Sequence, residues 1–306
     1  MRIAVIGAGA MGGFYGALLA RDGCDVHFLM RRDYDAVKSS GLTVKSCHGD
    51  FHLDQVNCYR HVEEIGVVDL VFIGLKTTSN HQYQELISPL MGSNTRALSA
   101  QNGLGNEELL ADLFGPRRVA GGLAFLCSNR AEPGVINHLD YGFFHTGNFQ
   151  RPPDYTLRTF VQMMQHSGVD CQLVEDLALA RWKKLIWNVP FNGLSALLDL
   201  TVDKIIQDPS LYERAFRLMQ EVQAAAGLYD LNIDDGFLQH MMNLTVKMKP
   251  YYTSMHLDRR RKKPMEIEAV IGEPLRRGKQ RRLNLPEMQI LYDELKNINQ
   301  AIQKEP

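Results

Sequence analysis

The chain has no long apolar run and no excess of charge of either sign. No stretch of its 306 residues reaches about 18 consecutive apolar residues, so we expect no transmembrane helix. Its 34 basic and 35 acidic residues leave a formal net charge of −1, so no overall field would draw it to nucleic acid or to a membrane. These absences favour a soluble globular protein.

Cysteine is also sparse, and its five residues form no C-x-x-C pair. An odd number at irregular spacing predicts reduced thiols and a cytoplasmic protein. We expect no secretory signal either, because the N-terminal apolar segment is interrupted at once by glycines. No metal-ligand set or nucleophile pair is evident, so a structural role is expected for all five: Cys24, Cys47, Cys58, Cys127 and Cys171.

The first thirteen residues carry the most informative motif. A short apolar strand from Arg2 to Ile6 runs directly into a G-x-G-x-x-G sequence, and a helix-like run from Phe14 to Arg21 follows. In this strand–turn–helix context the motif predicts dinucleotide binding, with the pyrophosphate at the helix N-terminus. The alternative is a flexible loop rich in small residues. The predicted cofactor-binding residues are Gly7, Ala8, Gly9, Ala10, Met11 and Gly12.

The end of the second predicted strand, Asp25 to Met30, indicates which dinucleotide is bound. NAD-binding proteins usually place an acidic residue there, whereas this chain places Arg31 and Arg32. A guanidinium can hold a 2′-phosphate with two hydrogen bonds, so we predict NADPH/NADP+ with Arg31 as its ligand. The alternative is a pair of solvated surface arginines.

The first half alternates strand and helix patterns, and the second half is helical throughout. Val67 to Leu75 is a nearly continuous apolar run, as in a parallel strand buried on both faces. We predict an α/β protein: a Rossmann-type, doubly wound parallel sheet in residues 1–173 and an all-helical domain in residues 174–306. Further expected elements are helices at 78–91, 107–114 and 157–166 and strands at 96–99, 119–126, 134–138 and 143–147.

Polar residues follow two of the predicted strands. Lys76 comes after the buried strand, and Asn102 lies in the Gln101–Gly105 sequence QNGLG after the next. Ligands of open α/β sheets bind beyond the carboxyl ends of strands, so both side chains are candidates for a site. The alternatives are a surface lysine and a simple turn.

The helical half contains a second set of candidates. Lys184, Asn188 and Asn192 are four residues apart in an otherwise apolar helix, with Pro190 expected to kink it. Buried polar groups of this kind need partners, either a polar ligand or an internal hydrogen-bond network.

Ser254 and Glu266 flank the basic run from Arg259 to Lys263. Pro264 predicts a new helix that begins there and places Glu266 near its N-terminus. We expect the basic run to be a solvated loop of no assigned role, because it lacks the interleaved aromatics of a nucleic-acid site.

Together these motifs resemble the ketopantoate reductase (2-dehydropantoate 2-reductase) family over essentially the whole chain. The resemblance rests on GAGAMG, Arg31, GLK at 74–76, QNGLG, RWKKLIWN at 181–188, Asn192, Ser254-Met255 and MEIEAVIG at 265–272. It implies NADPH-dependent reduction of ketopantoate, a 2-oxo acid, to pantoate, on the route to pantothenate and coenzyme A.

The resemblance also implies residue roles. Lys184 matches the catalytic lysine that protonates the keto oxygen, Glu266 the acid that orients the substrate, and Asn102 a residue near nicotinamide and substrate. Lys76 matches a residue that holds the active-site end of the cofactor and the substrate. The remaining substrate-binding matches are Asn188, Asn192 and Ser254.

Some residues depart from the family pattern and leave the substrate open. The basic run is unusually dense, Trp187 and Pro190-Phe191 are bulkier or stiffer than expected, and Glu273-Pro274 stands where small residues are commoner. Reduction of a different 2-oxo acid, or a non-enzymatic NADPH sensor, are the alternatives. A homodimer is compatible with the helical domain, but no residue identifies an interface.

Overall fold

Apolar strands of the first half assemble into one ten-stranded mixed sheet. The computed structural model describes residues 1–304. Two units divide the chain: unit 1 comprises Met1–Gln101 and Asn106–Leu177, and unit 2 comprises Asn102–Gly105 and the residues from Ala178 onward. Within residues 1–304, none of the helices has the length and apolar content needed to cross a membrane.

Six strands of unit 1 form a parallel, doubly wound arrangement. The strands of the sheet are β1 (Arg2–Ile6), β2 (Asp25–Leu29), β3 (Leu42–Ser46), β4 (Phe51–Leu53), β5 (Asn57–Tyr59), β6 (Val68–Ile73), β7 (Met91–Ser99), β8 (Val119–Glu132), β9 (Val135–Asn148) and β10 (Cys171–Leu173). The order of the six, β5-β2-β1-β6-β7-β8, places β1 and β6 at the centre, and β9 then pairs antiparallel with β8. β3 and β10 both pair parallel with β9, and β4 pairs antiparallel with β3.

Both faces of this sheet are buried. Ile3 and Val5 of β1 belong to one apolar cluster, and Ala4 and Ile6 belong to another, because successive side chains of a strand point to opposite faces. The helices of unit 1 are α1 (Ala10–Arg21), α2 (Tyr34–Ser40), α3 (Tyr83–Ile87), α4 (Asn106–Phe114) and α5 (Tyr155–His166). α1 and α5 contribute to the first cluster, and α3 and α4 to the second. The predicted Rossmann-type class is confirmed.

Two predicted elements of unit 1 differ from the structure. The expected helix at 78–91 is a 3₁₀ turn (Thr77–Gln82), the short α3 and a second 3₁₀ turn (Ser88–Leu90). Pro89 has no N–H to donate to the carbonyl four residues before it, so α3 does not continue through it. The two strands expected at 134–138 and 143–147 are one strand, β9, with a bulge at Tyr141 and Gly142. The pairing of β9 with β8 continues through the bulge, so the interruption in the strand pattern did not mark the end of a strand.

Unit 2 is helical, as predicted, and no strand occurs in the part of it that the structure describes. Its helices are α6 (Leu177–Trp187), α7 (Gly193–Leu198), α8 (Val202–Gln207), α9 (Pro209–Gly227), α10 (Asp235–Val246), α11 (Ser254–Arg260), α12 (Glu273–Gln280) and α13 (Pro286–Lys304). Side chains of Asp208, Asp234 and Thr253 cap the first turns of α9, α10 and α11. A single apolar cluster connects these helices.

Two π-helical segments interrupt the helices of unit 2, at Asn188–Asn192 and Glu268–Gly272. Pro190 lies in the first of them and has no N–H for the usual i to i−4 hydrogen bond, so the chain takes a wider turn. The kink predicted at Pro190 is therefore a π turn. Asn188 and Asn192 are both buried in it, and they are not one regular α-helical turn apart.

The basic run is the exposed loop that its composition predicts only from Arg261 to Lys263, and its first two residues are helical. Arg259 lies in the last turn of α11 and donates from Nη1 to the carbonyl oxygens of Ala196 (2.5 Å) and Leu197 (2.8 Å), at the C-terminal end of α7. A cation at that position also interacts favourably with the helix dipole. Arg260 pairs with Asp199 at 3.0 Å. The first half of the run thus connects two helices.

A buried histidine reinforces the same connection. His256 in α11 is fully buried, and its Nδ1 lies 2.9 Å from Ser195 Oγ in α7. Its Nε2 lies 2.5 Å from Asp199 Oδ1, just past the end of α7. Ser195 is itself fully buried and donates to the carbonyl of Leu200, so this Ser–His–Asp set has a structural role.

We predict that His256→Ala lowers the free energy of unfolding by roughly 2 kcal/mol or more. The reason is that a buried hydroxyl and a carboxylate each lose one of their hydrogen-bond partners and a cavity is created. His240→Ala is the control, because His240 is exposed on α10. Urea denaturation should show a lower midpoint for the first variant only; equal midpoints would contradict the structural role.

Candidate active site

The carboxyl ends of β1 and β6 lie side by side at the centre of the sheet. Ile6 is in register with Ile73, and the Gly74 N–H donates to the Ile6 carbonyl at 2.8 Å. The chain winds outward from β1 in one direction and from β6 in the other, so this is the point where the strand order reverses. In open α/β sheets the ligand crevice lies outside the carboxyl ends of the strands at this point.

Two glycines of the G-x-G-x-x-G sequence bring the backbone together there, and the third has another role. Gly7 has φ +94°, and a Cβ at that position would collide with the backbone of Gly74 and Leu75. A Cβ at Gly12 would collide with the carbonyl oxygen of Gly7. Gly9 differs, because a Cβ there would meet nothing within 4 Å. Gly7 and Gly12 thus permit the tight packing, and Gly9 leaves the outer side of the turn open for a ligand.

The N-terminus of α1 is suited to an anion. The helix begins at Ala10, and within residues 1–304 no side chain caps it and no acidic residue occupies its first turn. The first N–H groups of a helix and its dipole both favour a phosphate at such an end. The predicted residues Gly7 to Gly12 therefore form one cradle whose shape and charge fit a pyrophosphate.

Arginines follow β2, as the sequence indicates. Arg31 and Arg32 are exposed, whereas the nearby acid Asp33 is buried and pairs with Arg130 of β8 at 3.0 Å. The negative charge of Asp33 is therefore offset within the protein. A cationic side chain is thus the accessible charged group at the end of β2, which fits a 2′-phosphate better than a free 2′-hydroxyl.

A hydrogen-bonded network holds the loop that begins at Lys76. Lys76 is exposed and directly precedes the 3₁₀ turn Thr77–Gln82. Within that turn Asn80 donates to Asn106 Oδ1 and accepts from Gln101 Nε2, both at 2.8 Å. Tyr83 donates its hydroxyl to Gln101. Sequence reasoning missed Asn80 and Tyr83; their only signal was polarity inside a segment interpreted as a helix.

Asn102 belongs to unit 2 through its neighbours. The Leu104 N–H donates to the Ala269 carbonyl at 2.9 Å, and Gly103, with φ +85°, lies so close to Ala269 that any side chain there would overlap it. Ala269 lies in the π segment that follows Glu266. Asn102 therefore directly precedes a turn, Gly103 and Leu104, that packs against the π segment Glu268–Gly272. Glu266 lies shortly before the same segment.

Lys184 occupies the last turn of α6, where Trp182, Leu185 and Ile186 are buried in the core of unit 2. Burial lowers the pKa of the Lys184 ammonium to about 7, the charge of Arg181 lowers it too, and the carboxylate of Glu266 opposes both. A lysine with a pKa near neutrality can donate a proton and recover it at physiological pH.

The other predicted residues of unit 2 are mostly buried polar groups. Asn188, Asn192 and Glu266 are each less than 7% exposed, and Ser254, the first residue of α11, is partly buried. We expected the helix near Glu266 to begin at Pro264, but it begins at Ile267. Before it, the Met265 N–H donates to the side chain of Asn299 at 2.9 Å. Glu266 still directly precedes the helical segment. Such a set can bind an anionic, hydroxylated molecule and protonate it.

Comparisons with protein families, with related sequences and with solved structures match nearly the whole chain to the same family. The family models for ketopantoate reductase PanE/ApbA and for its C-terminal part match residues 3–151 and 176–299. A 2-dehydropantoate 2-reductase of Nostoc sp. is 42% identical over 303 residues, which covers 97% of this chain and 95% of that protein. The crystal structure of 2-dehydropantoate 2-reductase from Geobacter metallireducens has a TM-score of 0.95 and 46% identity, with 97% and 99% of the two chains covered.

A more distant structure shares the fold alone. D-mandelate dehydrogenase, solved with NADH and anilino(oxo)acetate, is 19% identical with a TM-score of 0.92, and 99% and 100% of the two chains are covered. The glycine cradle fits a dinucleotide, and the family models with the 2-dehydropantoate 2-reductases that match nearly the whole chain define an oxidoreductase. More particularly, the two family models and the 42% identity show that the chain belongs to the ketopantoate reductase family.

The lowered pKa of Lys184 predicts a pH-dependent stability. An unfolded lysine titrates near 10.4, so between about pH 7 and pH 10 the unfolded chain binds more protons than the folded one, and the free energy of unfolding rises with pH. We expect this contribution to be roughly 2–4 kcal/mol across that window. Lys184→Met should remove it.

The measurement is urea unfolding at pH 7 and pH 10 for both proteins. The exposed Lys204 of α8 provides the matched control, Lys204→Met, which should keep the wild-type pH dependence. A Lys184→Met protein with the full wild-type rise in stability would show that Lys184 is not the group responsible.

Proposed function

We propose that this protein reduces 2-dehydropantoate (ketopantoate) to pantoate with NADPH, a reaction that supplies pantothenate and coenzyme A synthesis. Membership of the ketopantoate reductase family supports the reaction type. The observation that carries the residue assignment is Lys184, a lysine with a pKa of about 7 whose charge interacts with that of Glu266. A non-enzymatic sensor would need neither group.

NADPH, when bound, would supply the hydride that the ketone carbon accepts. Negative charge then develops on the carbonyl oxygen, and Lys184 stabilises this charge and donates the proton that completes the hydroxyl. The substrate thus gains a hydride and a proton, and Lys184 afterwards recovers its proton from solvent. Glu266, in this proposal, accepts a hydrogen bond from a substrate hydroxyl and orients the carbonyl toward Lys184.

The buried amides serve binding. Asn188 and Asn192 can donate to the substrate carboxylate or hydroxyl, and Ser254 offers a hydroxyl at the first turn of α11. Lys76 and Asn102 are assigned to the nicotinamide end of the cofactor and to the substrate. These assignments follow the family pattern, and the burial of the asparagines supports them, because buried amides need polar partners.

The cofactor assignment uses the residues of unit 1. Gly7, Ala8, Gly9, Ala10, Met11 and Gly12 hold the pyrophosphate, and Arg31 holds the 2′-phosphate. The open side of Gly9, the uncapped start of α1 and the Asp33–Arg130 pair support this choice. Residues 1–173 would then form the cofactor domain and residues 174–306 the substrate domain. Asn102–Gly105 belong to the first range in sequence but to unit 2 in the structure.

A reductase for another 2-oxo acid is the second candidate. The rings of Trp187 and Phe191 pack at a tilt with centroids 5.3 Å apart, and these residues adjoin Asn188 and Asn192 in sequence, so their bulk can reshape the volume available to a substrate side chain. Ketopantoate, 2-oxoisovalerate and pyruvate differ in that side chain. The rates of NADPH oxidation with these three acids therefore discriminate between the two candidate functions.

We predict rapid NADPH oxidation with ketopantoate and much slower oxidation with 2-oxoisovalerate and pyruvate. The measurement is the rate at which NADPH absorbance is lost.

Lys184→Ala should lower kcat/KM by about 10²-fold or more, because general acid catalysis is lost. In the wild type kcat/KM should fall as pH rises above about 7, where Lys184 loses its proton. Lys183→Ala, altered at the neighbouring position, should keep activity within about threefold.

Two outcomes would contradict these assignments. Fast turnover with another 2-oxo acid and none with ketopantoate would favour the second candidate. A Lys184→Ala enzyme with wild-type kcat/KM would remove the lysine from the mechanism.

The proposed contact between Arg31 and the 2′-phosphate predicts a preference for NADPH over NADH. Arg31→Ala should raise KM for NADPH by about 10- to 100-fold and leave KM for NADH nearly unchanged, because only the 2′-phosphate contact is lost. Arg158→Ala, an exposed change on α5, is the control. An equal loss with both cofactors, or wild-type binding of NADH as tight as that of NADPH, would contradict the assignment.

A further inference from the structure

A cluster of potential metal ligands lies outside the proposed active-site residues. Cys47 and His48 follow the end of β3, and His138 lies in β9, where it is in register with Ser46 of the neighbouring parallel strand. The Cys47 N–H donates to the His138 carbonyl at 3.1 Å, which anchors the turn to β9. One ligand atom from each of the three side chains lies within 4.8 Å of the others.

The His138 ring is held in the orientation that a metal ligand needs. Its Nε2 lies 3.0 Å from the Tyr141 carbonyl oxygen, which can only accept, so Nε2 carries the hydrogen. Nδ1 therefore presents a lone pair, and it faces Ser46 Oγ at 2.9 Å and Cys47 Sγ at 3.9 Å. Metal-binding histidines are commonly oriented in this way, by donation from the second nitrogen to a backbone carbonyl.

The bulge of β9 provides this carbonyl. Tyr141 has φ 62° and Gly142 has φ 120°, and a Cβ at Gly142 would lie 3.3 Å from His138 Nε2. Phe14 of α1 packs on the His138 ring with centroids 4.4 Å apart. The ring is 2% exposed, so these contacts fix its orientation.

The other two ligands can adjust. Cys47 and His48 are both exposed, and the His48 ring meets the His138 ring edge to face at 5.0 Å. Zinc–sulfur and zinc–nitrogen bonds of about 2.3 and 2.0 Å place tetrahedral ligand atoms roughly 3.3–3.8 Å apart. The cluster therefore needs to contract by about 1 Å, which side-chain rotation at two exposed positions can supply.

We propose that Cys47, His48 and His138 bind one divalent transition-metal ion of the zinc type, through Cys47 Sγ, His138 Nδ1 and one ring nitrogen of His48. A thiolate with two imidazoles selects zinc-like ions over magnesium or calcium. Water completes the tetrahedron, and the Ser46 hydroxyl gives up its contact with Nδ1. The bound ion joins β3 to β9 and stabilises unit 1.

This site revises the expectation of no metal ligands. Cys47 and His138 are separated by 91 residues, so their spacing resembles no metal motif, and only the β3–β9 pairing brings them together. The inference is independent of the proposed reductase activity. Metal binding can be measured without cofactor or substrate, so failure of one proposal leaves the other intact.

The test is a titration of the full-length protein, without a histidine tag and after treatment with a chelator, with Co²⁺ alone. We expect one equivalent to bind and a thiolate-to-cobalt charge-transfer band to develop in the near ultraviolet. Cys47→Ser should abolish the band and weaken binding at least tenfold, about the scale expected for loss of one ligand contact. His48→Gln should keep the band and weaken binding similarly.

The controls change comparable residues outside the cluster. His61 is exposed and Cys24 is partly buried, and His61→Gln and Cys24→Ser should bind cobalt as the wild type does. Zinc should raise the thermal midpoint of the wild type and of both controls, but not that of Cys47→Ser. Binding without the charge-transfer band, or an unchanged band in Cys47→Ser, would overturn the proposal.

Discussion

The close backbone contact among Gly7, Gly12 and Gly74 is the constraint on which unit 1 depends. Only residues without a Cβ allow the first turn, the start of α1 and the end of β6 to approach this closely. That approach directs the N-terminus of α1 to the crevice at the carboxyl ends of β1 and β6. The same three positions therefore set the packing of the sheet and the place where a pyrophosphate fits.

In unit 2 the comparable constraint is electrostatic. An ammonium among buried apolar side chains is destabilised in its charged form, and this cost brings the pKa of Lys184 to about 7. The compensating carboxylate of Glu266 lies 82 positions further along the chain, ahead of a π segment. Lys184 therefore affects both the stability of the folded protein and the proposed proton transfer. A lysine whose cation was fully stabilised would be a poorer proton donor.

Local patterns predicted the fold class and most candidate residues. The strand, turn and helix around Gly7–Gly12, the apolar strand β6 and the helices of the second half depend on neighbours in sequence, so local patterns predicted these elements correctly. The pairing of β9 with β3 and the capping role of Arg259 depend on partners far along the chain, which local propensity does not contain. The π turn at Pro190 has a local cause, the missing N–H of proline, but the sequence pattern predicted only a kink there.

Periodicity and motif chemistry alone specified a dinucleotide cradle followed by a helical unit, because the glycines and the apolar repeat act within a few residues. Tertiary structure decided which side chains share an environment. It paired Asp33 with Arg130, set Asn80 against Gln101 and Asn106, and placed His138 next to Cys47. The physical reason is that burial, pKa and ligand geometry depend on distances in space, which the spacing of residues along a chain does not contain.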